Sequence, residues 1–560
     1  MKRLRGVAAS PGARRGPAAV VAAGSVSLPD APVEDPVSEA TALEKAMETV
    51  ATGLEARAAA RGGELSEILE AQAAMARDPE LLAGAQRLIK ERALPGGRAV
   101  MEAGEEYALA LEASDSDYMA ARAQDVRDVC RRIAAGLAGE TSQLALEAPS
   151  VVVAKELMPA DVADLDLHLV RAFATEGGSR TSHTAIVARS LGVPAVVGVD
   201  GLVSAIANGM LVGVDGDSGT VYLDPNPKTT EMLDRRSAER AAHIEELRTM
   251  AGDEPAATKD GTRVEIAANV ASLPELQAAL ESGAEGVGLL RTELSFLDRA
   301  RPPSEQEQSR LFADMAALLG DRRLVIRTFD IGADKPAPFL DTEEEEEEEN
   351  PALGVRGIRL ARRHPDILSA QLNAAVRTAG GRARVAVMAP MVSNLEDARW
   401  FAEQVEAAGG RSAGVEVGVM IEVPSVVFLM PELASLLDFV SIGTNDLTQY
   451  LHAADRMQGS LAGLQDPFSS ALLRAVARIC EGADAKAWVG VCGEAAADPG
   501  WALLAVGMGV RELSMDAGSI LEVKAALRRI TLEECRAAAE EAASAHRPEE
   551  ARSIALSLLR

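Results

Sequence analysis

The alternation of apolar and polar positions divides the amino-terminal part of the chain into two kinds of pattern. Short apolar runs near residues 3–7 and 18–21, separated by Ser10-Pro11-Gly12, are typical of two strands joined by a turn. From about residue 37 to residue 139, Leu, Ile, Val and Ala recur at helical spacing among charged residues. Helix starts and breaks are indicated at Asp78-Pro79, Pro95-Gly96-Gly97 and Ser114-Asp115-Ser116-Asp117. We therefore predict a bundle of about four or five helices.

Strand character returns at residue 151 and continues to residue 223, interrupted by one glycine turn and one helix. The Asp215-Gly216 dipeptide between the apolar runs 211–214 and 220–223 predicts a hairpin. This segment forms a compact α/β unit if the runs at residues 1–23 supply its missing strands. The helical bundle is then an insertion within that unit.

The carboxyl-terminal half alternates strand-like with helical runs. Prolines at 225 and 227 mark a boundary, and a charged helix to about residue 250 is predicted as a connector. Beyond Gly252, nine runs compete for eight places in a barrel: 264–270, 286–290, 324–327, 385–388, 417–421, 439–442, 488–491 and the weaker 357–360 and 512–515. The pattern predicts a (β/α)8 TIM barrel, so the fold class is multidomain α/β.

Composition narrows the function classes. The 560 residues carry a formal net charge of -28, which argues against a nucleic-acid-binding surface, and aromatic residues are only 3%. The four cysteines show no C-x-x-C pair or zinc spacing, so we predict no disulfides and a cytoplasmic location. Neither a signal peptide nor a membrane span is predicted, because no apolar run approaches the roughly 18 residues that a span requires.

A glycine turn before a predicted helix offers the first candidate for chemistry. Gly177 and Gly178 let the backbone approach a ligand closely, and Thr181 and Ser182 are able to cap the helix that begins near His183. Free backbone N–H groups and the helix dipole favour an anion such as a phosphoryl group at that position. An ordinary structural histidine at a helix start is the alternative.

Polar residues also follow the predicted barrel strands, where the catalytic groups of TIM barrels lie. The cations Arg291, Arg327, Lys335 and Arg456 are suited to clamping phosphate and carboxylate oxygens, unless each forms a routine ion pair. The carboxylates Glu422 and Asp446 offer the hard oxygen ligands that Mg²⁺ prefers, or else form salt bridges.

Cys492 completes this set, since a thiol beside a glycine at a strand end is able to move a proton to or from carbon; a buried inert cysteine is the alternative. A phosphate, a carboxylate, a magnesium ion and a proton donor at carbon together fit phosphoenolpyruvate.

The sequence resembles enzyme I of the bacterial phosphotransferase system, the phosphoenolpyruvate-protein phosphotransferase family, over nearly its whole length. The resemblance rests on ordered motifs: Gly6-Val7-Ala8-Ala9-Ser10-Pro11-Gly12, Thr181-Ser182-His183-Thr184 with Ala188-Arg189-Ser190, Gly288-Leu289-Leu290-Arg291-Thr292-Glu293, the segment 327–335, Asn350-Pro351-Ala352-Leu353-Gly354-Val355-Arg356, Asn445-Asp446-Leu447-Thr448-Gln449-Tyr450, Ala454-Asp455-Arg456 and Cys492-Gly493-Glu494.

The resemblance implies a role for each site residue. His183 is the expected phosphorylated nucleophile, and Cys492 is expected to protonate the enolate carbon to give pyruvate. Arg291, Arg327, Lys335 and Arg356 are expected to bind the phosphoryl group. Asn445 and Arg456 are expected to bind the substrate carboxylate, and Glu422 and Asp446 the Mg²⁺ ion.

The resemblance also implies domains and partners. It gives a phosphohistidine α/β domain at residues 1–24 and 147–225, a helical domain at 25–146, a helical linker at 226–255 and a barrel domain at 256–560. The expected partners are a histidine-containing phosphocarrier protein (HPr), docking on the helical domain, and a second copy of the chain, forming a homodimer through the barrel. The pathway implied is sugar uptake and phosphorylation.

Three other interpretations compete with this one. Pyruvate phosphate dikinase and phosphoenolpyruvate synthase share the chemistry, but they need an ATP-binding module for which residues before His183 leave no room. A barrel lyase acting on pyruvate enolates leaves the first 225 residues without a role. A non-catalytic descendant of the enzyme has no reason to retain every charged site position.

Two local features depart from the family or stand outside its motifs. Ser179 lengthens the glycine turn before His183, or replaces its second glycine. Residues 343–349 are seven consecutive glutamates, a composition that predicts a solvated loop.

Overall fold

A computed structural model describes the chain over residues 2–21, 28, 31–33, 35–60, 69, 72–112, 117–138, 146, 148–157, 165–178, 182–190, 192–252, 254–296, 301–332, 339, 348, 350–456, 458–484 and 486–560. Lys335, Ser179 and all of the glutamate run except Glu348 lie outside these residues, and His183 is described by its backbone alone. The chain divides into two compact units, Met1–His243 and Ile244–Arg560.

The first unit contains an eight-stranded sheet with the order β1-β8-β7-β3-β4-β5-β6-β2. Its strands are β1 Lys2–Arg5, β2 Val7–Ser10, β3 Ala13–Val21, β4 Ser150–Ala154, β5 Val170–Thr175, β6 Ala195–Val197, β7 Leu211–Asp215 and β8 Thr220–Leu223. The strands at the amino terminus join the later ones as predicted, and β7 and β8 form the predicted antiparallel hairpin.

The central strand β4 shows why this sheet is apolar throughout. Every residue of β4 is buried, and its side chains alternate between two cores, with Val152 on one side and Val151 and Val153 on the other. Because successive side chains of a strand point to opposite faces, an uninterrupted valine run requires cover on both faces of the sheet.

The predicted helical bundle lies between β3 and β4, which pair directly with each other, so the bundle is an insertion in the sheet. Its helices are Pro36–Ala60, Pro79–Arg92, Gly96–Glu112 and Asp117–Leu137, and residues 72–76 are also helical. Asp78 caps the second of these by accepting from the Glu80 N–H at 2.7 Å, with Pro79 in the first turn, as the sequence predicts. Leu43, Leu54 and Ile133 pack in its aliphatic core.

Three further helices belong to the sheet and its carboxyl-terminal extension. They are His183–Ser190, Leu202–Ala205 and Pro227–Ala251. The last is the predicted connector, and two ion pairs bind it to the sheet. Arg15 of β3 pairs with Asp234 of the helix, and Arg236 of the helix pairs with Asp215 of β7.

The second unit is a closed barrel of eight parallel strands, which confirms the predicted TIM barrel. Its strands are β9 Glu265–Val270, β10 Gly286–Arg291, β11 Arg323–Arg327, β12 Arg384–Ala389, β13 Glu416–Ile421, β14 Phe439–Ile442, β15 Trp488–Val491 and β16 Glu512–Met515.

The helices between and after these strands are Leu273–Glu281, Glu305–Leu319, Ile358–Arg363, Pro365–Ala379, Leu395–Ala407, Pro424–Val427, Met430–Leu433, Thr444–His452, Ser470–Ala483, Pro499–Met508, Ile520–Leu527, Leu532–Ser544 and Pro548–Ser557. No described helix combines the length and apolar character that crossing a membrane requires.

One of the nine strand candidates was wrong. Residues 357–360 begin a helix, Ile358–Arg363, because Gly357 adopts a positive φ of 56° that breaks the extended path before it. The weaker candidate at 512–515 takes the eighth place as β16. Glu422, Asp446 and Cys492 therefore follow the fifth, sixth and seventh strands of the barrel.

Candidate active site

The backbone at Gly177 and Gly178, just after β5, is held by hydrogen bonds. Gly177 donates its N–H to the Lys155 carbonyl at 2.7 Å, and Thr175 donates its hydroxyl to the Gly177 carbonyl at 2.7 Å. Gly178 has a φ of 97°, and a Cβ on it would lie 2.9 Å from Ser182 Oγ, so a side chain there is doubly unfavourable. The helix His183–Ser190 then begins at the predicted histidine. A helix start of this kind favours negative charge at its first residues.

The second unit has a cavity of about 710 Å³ at the carboxyl ends of the barrel strands. Most of the predicted site residues line it: Arg291, Arg327, Glu422, Asn445, Asp446, Arg456 and Cys492. These side chains, predicted from separate motifs, thus meet at the carboxyl ends of the barrel strands. Arg356 is fully buried outside the lining and contacts Asp446.

Arg327 and Arg356 are held by a chain of buried ion pairs. Asp330 lies 3.3 Å from Arg327 Nη1 and 2.9 Å from Arg356 Nη2. Glu293 forms a second, close ion pair with Arg327. On the other side, Arg356 Nη1 lies 3.4 Å from Asp446 Oδ1. Both guanidinium groups are therefore fixed in position before any ligand binds.

These carboxylates also secure the charge of the two arginines. Burial by itself lowers the pKa of a guanidinium, but Glu293 and Asp330 raise the pKa of Arg327 above its ordinary value. Asp330 and Asp446 do the same for the pKa of Arg356. The alternative that Arg327 forms ion pairs was thus correct, and it is compatible with the position of Arg327 in the cavity lining.

Arg291 and Arg456 differ from this buried pair. Arg456 Nη1 lies 3.3 Å from Asp446 Oδ2, and its side chain is partly exposed. Arg291, the last residue of β10, forms no side-chain hydrogen bond or ion pair with any described residue. Its guanidinium is available to an anionic ligand in the cavity.

Glu422 and Asp446 both line the cavity, where they offer carboxylate oxygens to a metal ion. Glu422 is completely buried; its Oε1 accepts from the Met391 N–H at 2.5 Å, while its Oε2 has no hydrogen-bond partner among the described residues. Burial, with the Asp446 and Asp330 carboxylates, raises the pKa of Glu422 above its ordinary value. A cation at this position would give Glu422 Oε2 a partner and would stabilise the ionised form of the buried carboxyl. The pair of carboxylates therefore fits Mg²⁺. No group of three or more His, Cys, Asp or Glu side chains is arranged for a metal within the described ranges.

Cys492 lies just beyond β15 and is 2% exposed. Its Sγ is 3.8 Å from the Ile442 carbonyl, and burial raises the pKa of Cys492 to about 12 although the Ser441 hydroxyl lowers it. The group is therefore a thiol at neutral pH, the form that a proton donor requires. All four cysteines of the chain are free, as predicted.

Asn445 is fixed by the loop that follows β15. Its amide Nδ2 donates to Glu494 Oε1 at 3.2 Å, and its Oδ1 accepts from the Glu494 N–H at 3.1 Å. This reciprocal pair connects the loops after β14 and β15 at the cavity edge.

Comparison with known proteins identifies matching families and relatives of the chain. Three family descriptions match the chain: "PEP-utilising enzyme, N-terminal" at residues 5–122, "PEP-utilising enzyme, mobile domain" at 146–219 and "PEP-utilising enzyme, PEP-binding domain" at 245–532. A phosphoenolpyruvate-protein phosphotransferase of Streptomyces coelicolor is 43% identical over 563 residues, covering 99% of each chain.

The chain belongs to the phosphoenolpyruvate-protein phosphotransferase family.

More distant relatives have the same name. The phosphoenolpyruvate-protein phosphotransferase of Geobacillus stearothermophilus is 36% identical over 95% of this chain and 94% of its own. That of Haloferax volcanii is 40% identical over 86% of this chain and 84% of its own. The resemblance inferred from the motifs is thereby confirmed.

Sequence reasoning missed two residues of this phosphotransferase site. Glu293 and Asp330 both lie inside quoted motifs, yet neither was assigned a role. Asp330 stands three residues after Arg327 at a strand end, which was a usable signal. Glu293 pairs with Arg327 across 34 positions, and that contact exists only in the folded barrel.

Proposed function

We propose that this enzyme transfers the phosphoryl group of phosphoenolpyruvate to His183 and then to the histidine of a small phosphocarrier protein of the HPr type, releasing pyruvate. The supporting observation is the convergence of Arg291, Glu422, Asp446, Arg456 and Cys492 on one cavity at the barrel mouth. Family membership supplies the reaction class.

The charges of the cavity match a substrate with a phosphate and a carboxylate. Arg291 and Arg327, with Lys335, bind the phosphoryl oxygens, because guanidinium groups bind such oxygens in pairs. Arg356, outside the cavity lining, positions Asp446 instead. Asn445 and Arg456 bind the carboxylate. Mg²⁺, held by Glu422 and Asp446, supplies charge neutralisation to the phosphoryl oxygens when bound.

The reaction then needs a nucleophile and a proton donor. The neutral imidazole of His183 attacks phosphorus, the bond between phosphorus and the enol oxygen breaks, and the arginines stabilise the oxygen charges. The Cys492 thiol gives its proton to the enolate carbon, which forms the pyruvate methyl group and leaves a thiolate.

The remaining assignments complete the proposal. His183 has to reach both the barrel cavity and the carrier, so we infer that residues 1–24 and 147–225 move as a domain on linkers near Ala148 and Pro225. The helical domain, 25–146, docks the carrier; residues 226–255 form the linker; and the barrel, 256–560, binds substrate and a second copy of the chain. The pathway is sugar uptake by the phosphotransferase system, in the cytoplasm, where free cysteines persist.

The experiment is phosphorylation of the purified chain by phosphoenolpyruvate labelled in its phosphoryl group. We expect acid-labile label on the protein, transfer of that label to added HPr, and no label in His183→Ala. The matched control is His168→Ala, an exposed histidine of the same unit, which should be labelled normally. Label retained in His183→Ala contradicts the proposal, and so does labelling by ATP in place of phosphoenolpyruvate.

A further inference from the structure

Two buried polar side chains of the barrel differ in how their hydrogen-bonding groups are satisfied. Glu512, at the start of β16, has no hydrogen-bond partner among the described residues for either carboxyl oxygen, and burial with the Glu265 carboxylate raises the pKa of Glu512 well above its ordinary value. Gln371 is 1% exposed, and both ends of its amide form hydrogen bonds. Because a buried amide costs free energy unless it is paired, the partners of Gln371 indicate its role.

Gln371 points from the helix Pro365–Ala379 to the carboxyl ends of two barrel strands. Leu368 and Ala375, on the same helix face, pack in the barrel core. Gln371 Oε1 accepts from the Phe329 N–H at 3.1 Å, and its Nε2 donates to Thr292 Oγ1 at 3.1 Å. Thr292 directly follows β10, and Phe329 lies two residues after β11. One side chain therefore contacts the ends of both strands.

Thr292 extends this connection to the backbone of β11. Its hydroxyl accepts from Gln371 and donates to the Arg327 carbonyl at 2.7 Å. The Thr292 side chain is completely buried, so solvent does not compete for these bonds. The three hydrogen bonds, which we call the Gln371 bridge, tie the end of β10 to the end of β11 on both sides of Thr328.

The Gln371 bridge lies next to the two arginines that bind phosphoryl oxygens in the proposed function. Arg291 and Arg327 are register partners at the last residues of β10 and β11, and both line the cavity. Arg327 is also held by Glu293 and Asp330, whereas Arg291 has no ion pair with a described residue. The bridge thus fixes the backbone of Arg291 relative to that of Arg327 where the pairing of the two strands ends.

We propose that Gln371 is a positioning residue for phosphoryl binding, which through Thr292 sets the spacing of Arg291 and Arg327 so that both meet the same phosphoryl group. This inference rests on the proposed function, in which these two arginines bind the phosphoryl oxygens. Neither Gln371 nor Thr292 is among the described residues that line the cavity, so the effect is transmitted through the arginines. A misplacement of about 1 Å is enough to lower a rate by roughly 100-fold.

The experiment measures phosphorylation kinetics of the full-length chain with Gln371→Met, which keeps the length of the side chain but has no amide. We expect kcat/KM for phosphoenolpyruvate to fall about 10-fold or more. The KM for pyruvate, measured in the reverse direction from the phosphorylated enzyme, should change by less than about 2-fold, because pyruvate has a carboxylate but no phosphoryl group.

Gln308→Met is the matched control. Gln308 is also fully buried on a barrel helix, Glu305–Leu319, but its Nε2 donates to the Pro303 carbonyl just before that helix, at 3.2 Å. The variant removes a buried amide that does not join two strand ends. It should therefore leave kcat/KM for phosphoenolpyruvate within about 2-fold of wild type, whatever its effect on stability.

Thr292 provides a second test if Gln371→Met fails to fold. Thr292→Val removes the hydroxyl group and nearly keeps the shape of the side chain, so kcat/KM for phosphoenolpyruvate should again fall about 10-fold. Thr292→Ser retains the hydroxyl group and should restore most of the loss.

A double-mutant cycle tests whether the Gln371 bridge acts through Arg291. In an Arg291→Ala background, Gln371→Met should lower kcat/KM by only about 3-fold or less, because the positioned group is already absent. Fully additive effects of the two substitutions contradict the inference.

The other outcomes separate this inference from the proposed function. An unchanged kcat/KM in folded Gln371→Met or Thr292→Val overturns the positioning role, and so does an equal loss in Gln308→Met, which indicates an effect of stability alone. The proposed function fails separately if Arg291→Ala leaves kcat/KM for phosphoenolpyruvate at the wild-type value.

Discussion

The charged groups of the barrel site and the histidine of the first unit are positioned by different means. In the barrel, Arg356 contacts Asp446 across 90 residues, and each buried guanidinium depends on carboxylates from other strand ends. In the first unit, hydrogen bonds fix the backbone at Gly177, and His183 begins the helix His183–Ser190. The barrel cavity thus depends on ion pairs between residues distant in sequence, whereas His183 begins a helix within a short segment of the first unit. Substitutions in the two regions should therefore differ in their effect on the free energy of unfolding.

The largest effect is expected at Asp330. Asp330→Asn removes the carboxylate between Arg327 and Arg356 and leaves two buried guanidinium groups with less compensation, so the free energy of unfolding of the barrel should fall by about 3–5 kcal/mol. Asp314→Asn, at an exposed position of the helix Glu305–Leu319, should change it by less than about 0.5 kcal/mol. Denaturant unfolding measures both, and equal stability of the two variants would show that the ion-pair chain does not hold the site.

Arg291 lines the same cavity, but it has no ion pair with a described residue that a substitution would break. Arg291→Ala breaks no ion pair with a described residue, so stability should stay within about 0.5 kcal/mol of wild type. Loss of a charged contact to substrate should raise the KM for phosphoenolpyruvate roughly 10- to 100-fold. Arg327→Ala should lower stability as well, because Arg327 pairs with both Glu293 and Asp330. If Arg291→Ala unfolds as readily as Arg327→Ala, the distinction between the two arginines is wrong.

The barrel core should also show a pH dependence that depends on Glu512. The folded state keeps the Glu512 proton above the ordinary glutamate pKa of about 4.3, while the unfolded state loses it. Since the folded state then binds more protons, the free energy of unfolding should fall as pH rises above that value, by up to ~1.4 kcal/mol per pH unit, until the raised pKa of Glu512 is reached. Glu512→Gln should lack this contribution. Parallel slopes for wild type and variant, from unfolding at several pH values, would contradict the prediction.

The smallest effect is expected in the local segment of the first unit. Gly178→Ala places a Cβ on a residue with a φ of 97° and should cost about 1–2 kcal/mol, with slower labelling of His183. Gly53→Ala, inside the helix Pro36–Ala60 with no atom within 4 Å of the added Cβ, should instead stabilise the unit by roughly 0.5–1 kcal/mol. Thermal unfolding and the phosphorylation rate distinguish the two.

Much of the site was predictable because its signals are local. Arg291, the motif that begins with Asn445 and the motif that begins with Cys492 each stand at the end of an apolar strand run, and parallel strands bring their carboxyl ends to one edge. Residues 357–360 misled because a run of four residues, Gly-Ile-Arg-Leu, is too short to distinguish a strand from the first turn of a helix. The positive φ of Gly357, which decides the matter, is a property of the folded backbone.

The sequence by itself determined the αβ and barrel architecture, the insertion of the helical bundle, the family and the candidate residues, because hydrophobic periodicity and short motifs are written in consecutive positions. Only the tertiary structure decided that Asp330 binds two arginines, that Arg291 remains available and that Glu512 is enclosed between Gly288 and Gly490. The physical reason is that burial and charge pairing act through space. The pKa of a carboxyl group and the partner of a guanidinium depend on neighbours that the chain brings together only when the barrel closes.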